Sequence, residues 1–222
     1  ALTAASDSGA SSTDRITKVN KPTFTGTAEA SSTVTLFDGT TVIGTGVATT
    51  TGNWTITAST LADGVHNVTA KATDRAGNLG AASGALSLTI DTKAPVAPPV
   101  SDLVTASDSG ISNTDNITNV TKPTFAGTAE PGSTVTLFDG TTVIGTGVAT
   151  AAGTWTIAAS TLGNGVHSIS TKAADIAGNV SAASQALSVT VDTAAPGLPV
   201  FTGGTATTLS GTGQAGAIVT IS

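Results

Sequence analysis

The sequence contains no cysteine, no methionine and no tyrosine among its 222 residues. The absence of cysteine excludes disulfides and thiolate metal sites, so a stable fold needs an adequate hydrophobic core. Only 10% of the residues are charged, eight Lys and Arg against 14 Asp and Glu, and the formal net charge is −6. Because binding to nucleic acid or to anionic membranes depends on clustered Lys and Arg, we expect neither partner. No apolar run reaches the ~20 residues of a membrane span, so we expect no membrane insertion.

What the sequence does contain is a long internal repeat. Residues 32–49, STVTLFDGTTVIGTGVAT, recur unchanged at 133–150, a shift of 101 residues. A unit of this length matches an independent domain rather than the short unit of a solenoid. A third copy begins near the end, where 208–222 resembles 124–138.

These matches predict three segments, namely repeat 1 over 1–93, repeat 2 over 94–195 and a partial third repeat over 196–222. We interpret the chain as a slice of a longer array, with the leading edge of repeat 1 truncated. Two strands cannot bury a core alone. We therefore expect the partial third repeat either to lean on repeat 2 or to pair with another chain.

Apolar and polar residues alternate with the period of β-strands. In repeat 1, Val34 and Leu36 share one face of a predicted strand, and Asp38-Gly39 is a hairpin signal. About seven such short strands per repeat predict an all-β fold of tandem immunoglobulin-like β-sandwich domains. We expect the single tryptophan of each repeat, Trp54 and Trp155, to fill the core.

Three stretches of repeat 1 resemble the bacterial Ig-like repeats of giant adhesins, namely KPTFTGTAEASSTVTLFDG, TGNWTITASTLADGVHNVTAKATDRAGN and LTIDTKAP. That group includes calcium-dependent, type I-secreted adhesins of Gram-negative bacteria. The resemblance covers both full repeats and part of the third. It implies extracellular stalk repeats at the bacterial cell surface, stacked in long arrays, often with calcium at the junctions and distinct from the ligand-binding tip.

Two loops carry paired aspartates, SDSGASSTDRIT at 6–17 and SDSGISNTDNIT at 107–118. Calcium takes about six to eight hard oxygen ligands, more than two carboxylates provide. In an Ig-like sandwich we expect the first strand to begin at the end that carries the loop before the last strand. The last strand of the preceding repeat should arrive at that same end.

This topology predicts a Ca²⁺ site at the junction of the repeats, because crowded carboxylates repel one another without a cation. The predicted ligands at the junction are Asp91, Asp108, Asp115 and Asp175, and the equivalent set at the start of the chain is Asp7, Asp14 and Asp74. The alternative is that these aspartates only cap turns.

The sequence predicts no enzyme. SDSG resembles the surroundings of the serine in trypsin-like proteases, but a catalytic serine needs a base within hydrogen-bond reach. The only histidines, His66 and His167, lie in predicted strands, where we expect core-edge positions rather than metal ligands. We interpret Asp38 and Asp139 as turn residues.

The leading functional prediction is a structural spacer, a monomeric rod that calcium stiffens and that supports cell adhesion or biofilm formation. Its partners would be neighbouring repeats of the same chain, with any host or surface ligand bound elsewhere in the full protein. Two alternatives stay open. The repeats could themselves bind a glycan or surface ligand, or the chain could be a subunit of a self-assembling surface filament.

Overall fold

The structure is a computed structural model that describes residues 1–205 and 208–220. It confirms the all-β prediction, since the one helical element within these residues is a single 3₁₀ turn at Ala4–Ser6. Among the described residues, no helical stretch has the length and hydrophobicity that a membrane crossing requires.

Repeat 1 folds into seven strands in two sheets. The strands are β1 (Ile16–Thr17), β2 (Thr23–Thr27), β3 (Thr33–Asp38), β4 (Thr41–Val47), β5 (Asn53–Thr57), β6 (Gly64–Thr73) and β7 (Leu86–Ile90). One sheet has the order β1-β7-β6-β3-β4, and β2 pairs with β5 in the other. Every pairing is antiparallel except β1 with β7.

Repeat 2 repeats this architecture with one more short strand. Its strands are β8 (Asp102–Leu103), β9 (Ile117–Thr118), β10 (Thr124–Thr128), β11 (Thr134–Asp139), β12 (Thr142–Val148), β13 (Thr154–Ala158), β14 (Gly165–Ala174) and β15 (Leu187–Val191). Its sheets have the orders β12-β11-β14-β15-β9 and β13-β10-β8.

Each repeat has its own hydrophobic core between its two sheets. In β3, Val34 and Leu36 are buried, whereas Thr33 is exposed and Thr35 is only partly buried, as the alternation predicts. The core of repeat 1 centres on Phe24 and that of repeat 2 on Phe125, which is completely buried. Trp155 belongs to the core of repeat 2, and Trp54 packs against that of repeat 1. The two cores share no residue.

The tail after repeat 2 contains a separate two-stranded hairpin of β16 (Val200–Thr205) and β17 (Thr208–Thr212). Exposed apolar side chains lie just before this hairpin, at Leu198, and within it, at Phe201. In the described part of the tail, residues 197–205 and 208–220, no hydrogen bond reaches repeat 2. That the tail is a partial third repeat stays a prediction.

Candidate functional site: the junction between the repeats

The aspartate-rich loops lie at the end of each repeat where its last strand finishes, here called the C-terminal pole. Strand β1 runs parallel to the final residues of β7, with Ile16 beside Thr89 and Thr17 beside Ile90. Strand β9 pairs in the same way with the end of β15. Loops 6–15 and 107–116 immediately precede these short strands, so each lies at its own repeat's C-terminal pole.

The C-terminal pole of repeat 1 binds loop 175–179 of repeat 2, which lies between β14 and β15. Three consecutive carbonyl oxygens of this loop accept hydrogen bonds from repeat 1. Ala10 N donates to Ile176 O (3.2 Å), Ser8 Oγ to Ala177 O (2.8 Å) and Lys18 Nζ to Gly178 O (2.7 Å). In the reverse direction, Asn179 Nδ2 donates to the backbone oxygen of Asp91 (2.8 Å). The junction is therefore a direct polar contact between the two repeats.

The corresponding loop of repeat 1, 74–78, shows what this contact buries. It is the same turn with almost the same sequence, DRAGN against DIAGN. Ala177 is 1% and Asn179 is 8% exposed, whereas their counterparts Ala76 and Asn78 are exposed. The difference in burial arises from the neighbouring repeat, because the internal hydrogen bonds of the two loops are alike.

The hydrogen bonds within loop 175–179 explain why the backbone carbonyl groups of this loop face outward. Asp175 accepts hydrogen bonds from the backbone and side-chain nitrogens of Asn179, both at 2.8 Å. Asp74 and Asn78 form the same pair, and the hydrogen bonds from Asn78 lower the pKa of Asp74 below its usual value. Because both carboxylate oxygens are used inside the loop, the turn is fixed before it meets a neighbour. Asp74 and Asp175 thus cap turns, the alternative left open by the sequence.

The structure groups the predicted calcium ligands differently from the sequence-based expectation. Asp91 and Asp175 do meet at the junction, through Asn179. Asp108 and Asp115 lie at the opposite pole of repeat 2, because β9 joins the end of β15. Asp7 and Asp14 are therefore the paired aspartates on the junction side. Asp74 follows the end of β6 and therefore lies at the other pole of repeat 1, away from Asp7 and Asp14.

Asp7 and Asp108 are distinct from the other aspartates. Each is about 95% buried, and in each the Oδ1 atom has no hydrogen-bond partner. Their Oδ2 atoms accept from Arg15 N (3.2 Å) and Asn116 N (3.4 Å). A buried carboxylate oxygen without a donor is costly, which makes these two positions candidates for binding a cation.

The next amide in each loop binds the second aspartate. Ile16 N donates to Asp14 Oδ1 (3.0 Å), and Ile117 N donates to Asp115 Oδ1 (3.1 Å). The two carboxylates of each loop therefore bind consecutive backbone amides. Within residues 1–205 and 208–220, no three His, Cys, Asp or Glu side chains lie together as metal ligands would.

A histidine–aspartate pair in each repeat was not foreseen from the sequence. His66 Nδ1 lies 2.7 Å from Asp38 Oδ2, and His66 Nε2 lies 2.8 Å from the carbonyl oxygen of Ala62. The same arrangement joins His167 to Asp139 and Gly163. Asp38 is thus more than a turn residue, since it ties the β3–β4 turn to β6. The sequence feature that could have indicated this pair is the spacing of 28 residues between the aspartate and the histidine, which is the same in both repeats.

Stability should fall as the pH rises through the pKa of these histidines. Burial lowers the pKa of His66, but the Asp38 carboxylate and the Ala62 carbonyl outweigh it and raise the pKa above its ordinary value of 6.5; His167 behaves alike. A raised folded-state pKa contributes stability below the unfolded pKa that is lost above the folded one. We expect the melting temperature to decline as the pH rises above the ordinary histidine pKa of 6.5.

The control for this pH dependence is the double variant Asp38→Asn/Asp139→Asn. Thermal unfolding followed by circular dichroism should give a flatter pH profile for it over the same range. A wild-type profile already flat over that range would contradict the assignment.

Comparison with solved structures finds matches of low sequence identity. The BSP domain of a biofilm-associated protein is 19% identical, covers 81% of this chain and has a TM-score of 0.33. Fibronectin(III)-like modules of CbhA from Clostridium thermocellum are 21% identical over 80% of this chain (TM-score 0.47). A Ca²⁺-stabilized adhesin with which an Antarctic bacterium binds ice is 20% identical over 85% (TM-score 0.41). The match spans 29%, 89% and 48% of those three chains, respectively.

Comparison with curated proteins finds no match. The sequence profile of the bacterial Ig-like domain family matches residues 1–92 and again residues 95–193. These two segments make up most of the chain and coincide with the two observed sandwiches, which confirms the predicted tandem Ig-like fold. The chain belongs to the bacterial Ig-like domain family.

Proposed function

We propose that the two repeats are a non-enzymatic spacer in the stalk of a bacterial cell-surface adhesin, built to hold neighbouring repeats at a fixed orientation. The burial of loop 175–179 against repeat 1, beside the exposure of the matching loop 74–78, is the observation that carries this proposal. Adhesion to a host or another surface, or within a biofilm, would then belong to a ligand-binding part of the full protein.

The segment between the repeats supports the same function. A flexible linker would be exposed and would leave the two domains free to reorient. Here Pro95 and Pro98 are buried, and Ser101 and Leu103 are almost completely buried as the chain enters β8. Proline also restricts the backbone. Together with the four hydrogen bonds to loop 175–179, the docked linker constrains the orientation of repeat 2 at more than one point.

The orientation can be measured because the chain has no native cysteine. Spin labels would be attached to Thr50→Cys and Ala151→Cys, equivalent exposed turn positions in the two repeats. We expect double electron–electron resonance to give one narrow distance distribution. A broad distribution would mean that the repeats move independently, and the spacer function in this form would be lost.

We further propose that Ca²⁺ binds each C-terminal pole, to Asp7 with Asp14 in repeat 1 and to Asp108 with Asp115 in repeat 2. The donor set fits a hard cation, since each pole has a buried carboxylate oxygen without a donor and a second carboxylate on the adjacent amide. Backbone carbonyls and water would complete the shell. Calcium would neutralise the buried carboxylate and fix the loop that meets the next repeat.

Asp74 and Asp175 are left out of this proposal because Asn78 and Asn179 already satisfy their carboxylates. Asp91 is assigned to the junction instead. Its Oδ1 accepts from Lys93 N, and its backbone oxygen accepts from Asn179.

Calcium titration should therefore give two sites per chain, with dissociation constants of about 10⁻⁴–10⁻³ M, the range of extracellular calcium modules. Isothermal titration calorimetry should show one site in Asp7→Asn, one in Asp108→Asn and none in the double variant. Asp74→Asn, the matched control, should keep two. Absence of binding, or two sites in the double variant, would exclude calcium at the poles and leave the hydrogen-bonded junction unaffected.

A further inference from the structure

We propose that the interior of repeat 2 contains a binding site for one water molecule, which joins the linker to both sheets of the sandwich. Its ligands are Ser101 Oγ at the end of the linker, Trp155 Nε1 in β13 and Thr171 Oγ1 in β14. The inference goes beyond the spacer function, because it concerns how repeat 2 is held together internally, and it does not depend on calcium.

The first observation is that these three polar atoms are buried and have no hydrogen-bond partner among the described residues. Thr171 is 0%, Ser101 1% and Trp155 3% exposed. A buried hydroxyl or indole N–H without a partner is costly, and native proteins satisfy most such groups with protein atoms or with ordered water. Three unsatisfied groups in one domain therefore point to a shared ligand.

The register of the sheet brings two of the three together. In the sheet β13-β10-β8, Trp155 pairs with Gly127 of β10. On the other side of β10, Asp102 of β8 pairs with Ala126. Continuing this antiparallel register by one residue places Ser101 opposite Gly127. Trp155, Gly127 and Ser101 thus form one row across three strands, and directly opposite side chains project to the same face of a sheet.

The glycine in the middle of this row lets the indole extend towards Ser101. A Cβ atom at Gly127 would lie only 2.6 Å from Cζ2 and 3.2 Å from Nε1 of Trp155, so the indole and its N–H lie over the middle strand. The next strand is about 4.8 Å away. One water molecule with two hydrogen bonds of about 2.9 Å can bridge a separation of that order. The indole N–H and the Ser101 hydroxyl are therefore within reach of a single water.

Thr171 contributes the third group from the opposite sheet. Its place in the burial pattern of β14 puts it on the inner face of that sheet. The counterparts of Trp155 and Thr171 in repeat 1 are Trp54 and Ala70, and these two side chains line one cavity. The two positions therefore face each other across the sandwich. Repeat 1 has a methyl group where repeat 2 has a hydroxyl, so the polar cluster is a feature of repeat 2.

The balance of donors and acceptors fits water. An indole N–H only donates, whereas a hydroxyl both donates and accepts. A water molecule would accept from Trp155 Nε1 and donate one hydrogen each to the oxygens of Ser101 and Thr171. Three hydrogen bonds are typical of a buried water. A metal ion does not suit this set, because the indole N–H is a donor and cannot act as a ligand.

The position of Ser101 gives the site a structural role. Ser101 is the last residue before β8, where the chain enters repeat 2. A water bound there would connect the linker to β13 in one sheet and to β14 in the other. The linker would then be fastened to the interior of repeat 2 as well as to the edge of one sheet.

The sign of a stability change tests the proposal. Thr171→Val keeps the shape of the side chain and removes its hydroxyl. If water is bound, the change leaves the water and the remaining groups with fewer partners, and the folding equilibrium constant of repeat 2 should fall about 5- to 30-fold. If the cluster is dry, the change removes an unsatisfied hydroxyl and should leave that constant unchanged or raise it. Hydrogen exchange in urea measures the shift, with repeat 1 of the same chain as the internal reference.

Two further measurements test whether the ligand is shared. Ser101→Ala should also destabilise repeat 2, and the double variant Ser101→Ala/Thr171→Val should cost less than the sum of the two single changes. In nuclear magnetic resonance, the indole proton of Trp155 should show a rotating-frame Overhauser cross-peak to water that is lost in the double variant. Trp155→Phe assigns this signal. The proposal is overturned if Thr171→Val leaves repeat 2 as stable or more stable, if the two substitutions are additive, or if the wild-type indole proton shows no cross-peak to water.

Discussion

Replacing Gly9 by alanine should separate the two repeats, whereas the same replacement at Gly110 should leave their junction intact. A Cβ atom at Gly9 would fall well inside van der Waals distance of the carbonyl oxygen of Ile176, a backbone atom that cannot move alone. At Gly110 a Cβ atom would meet nothing within 4 Å. The two glycines have nearly the same φ, +107° and +109°, so the backbone strain of the substitution is matched.

The measurement is the distance distribution between spin labels at Thr50→Cys and Ala151→Cys. We expect Gly9→Ala to broaden the distribution and Gly110→Ala to leave it narrow. Hydrogen exchange of residues 176–179 should rise in Gly9→Ala towards the rate of residues 75–78. If both variants broadened the distribution equally, local strain rather than the junction would be the cause.

The second large effect concerns the cores. Phe125→Ala should lower the free energy of unfolding of repeat 2 by about 3–5 kcal/mol, because a fully buried phenylalanine loses its contacts and leaves a cavity. Domains are usually stable by only about 5–15 kcal/mol, so much of the stability of repeat 2 would be lost. Repeat 1 should be affected little, since the two cores share no residue.

Hydrogen exchange by mass spectrometry can follow the two repeats separately in urea. We expect Phe125→Ala to shift the transition of residues 102–192 and to leave that of residues 16–91 nearly unchanged. Phe24→Ala is the reciprocal control and should do the opposite. Equal shifts in both repeats for either variant would show that the chain unfolds as one cooperative unit.

The strands were predictable because their signal is local. Val34 and Leu36 alternate with threonine, and one buried face follows directly from that alternation. The repeat could also be identified from the sequence, since residues 32–49 and 133–150 are identical, and the two segments fold into the same strands.

The position of the aspartate loops was not predictable in this way. It depends on a parallel pairing between strands of only two residues, such as Ile16–Thr17 with the end of β7. Two residues carry no periodicity, so the sequence did not indicate which pole the loop joins. The pairing of Asp38 with His66 was not predictable either, because it requires two positions 28 residues apart to meet across neighbouring strands.

The sequence by itself determined the all-β class, the two repeats and the type of residue at the poles, because strand alternation and turn chemistry act between near neighbours. Only the tertiary structure decided which of those residues meet. It placed loop 175–179 against Ser8 and Lys18, buried one oxygen of Asp7 and of Asp108, and buried Pro95 and Pro98 of the linker. Such contacts depend on how whole sheets pack and on which repeat is the neighbour, and nearly identical loops therefore have different surroundings in the two repeats.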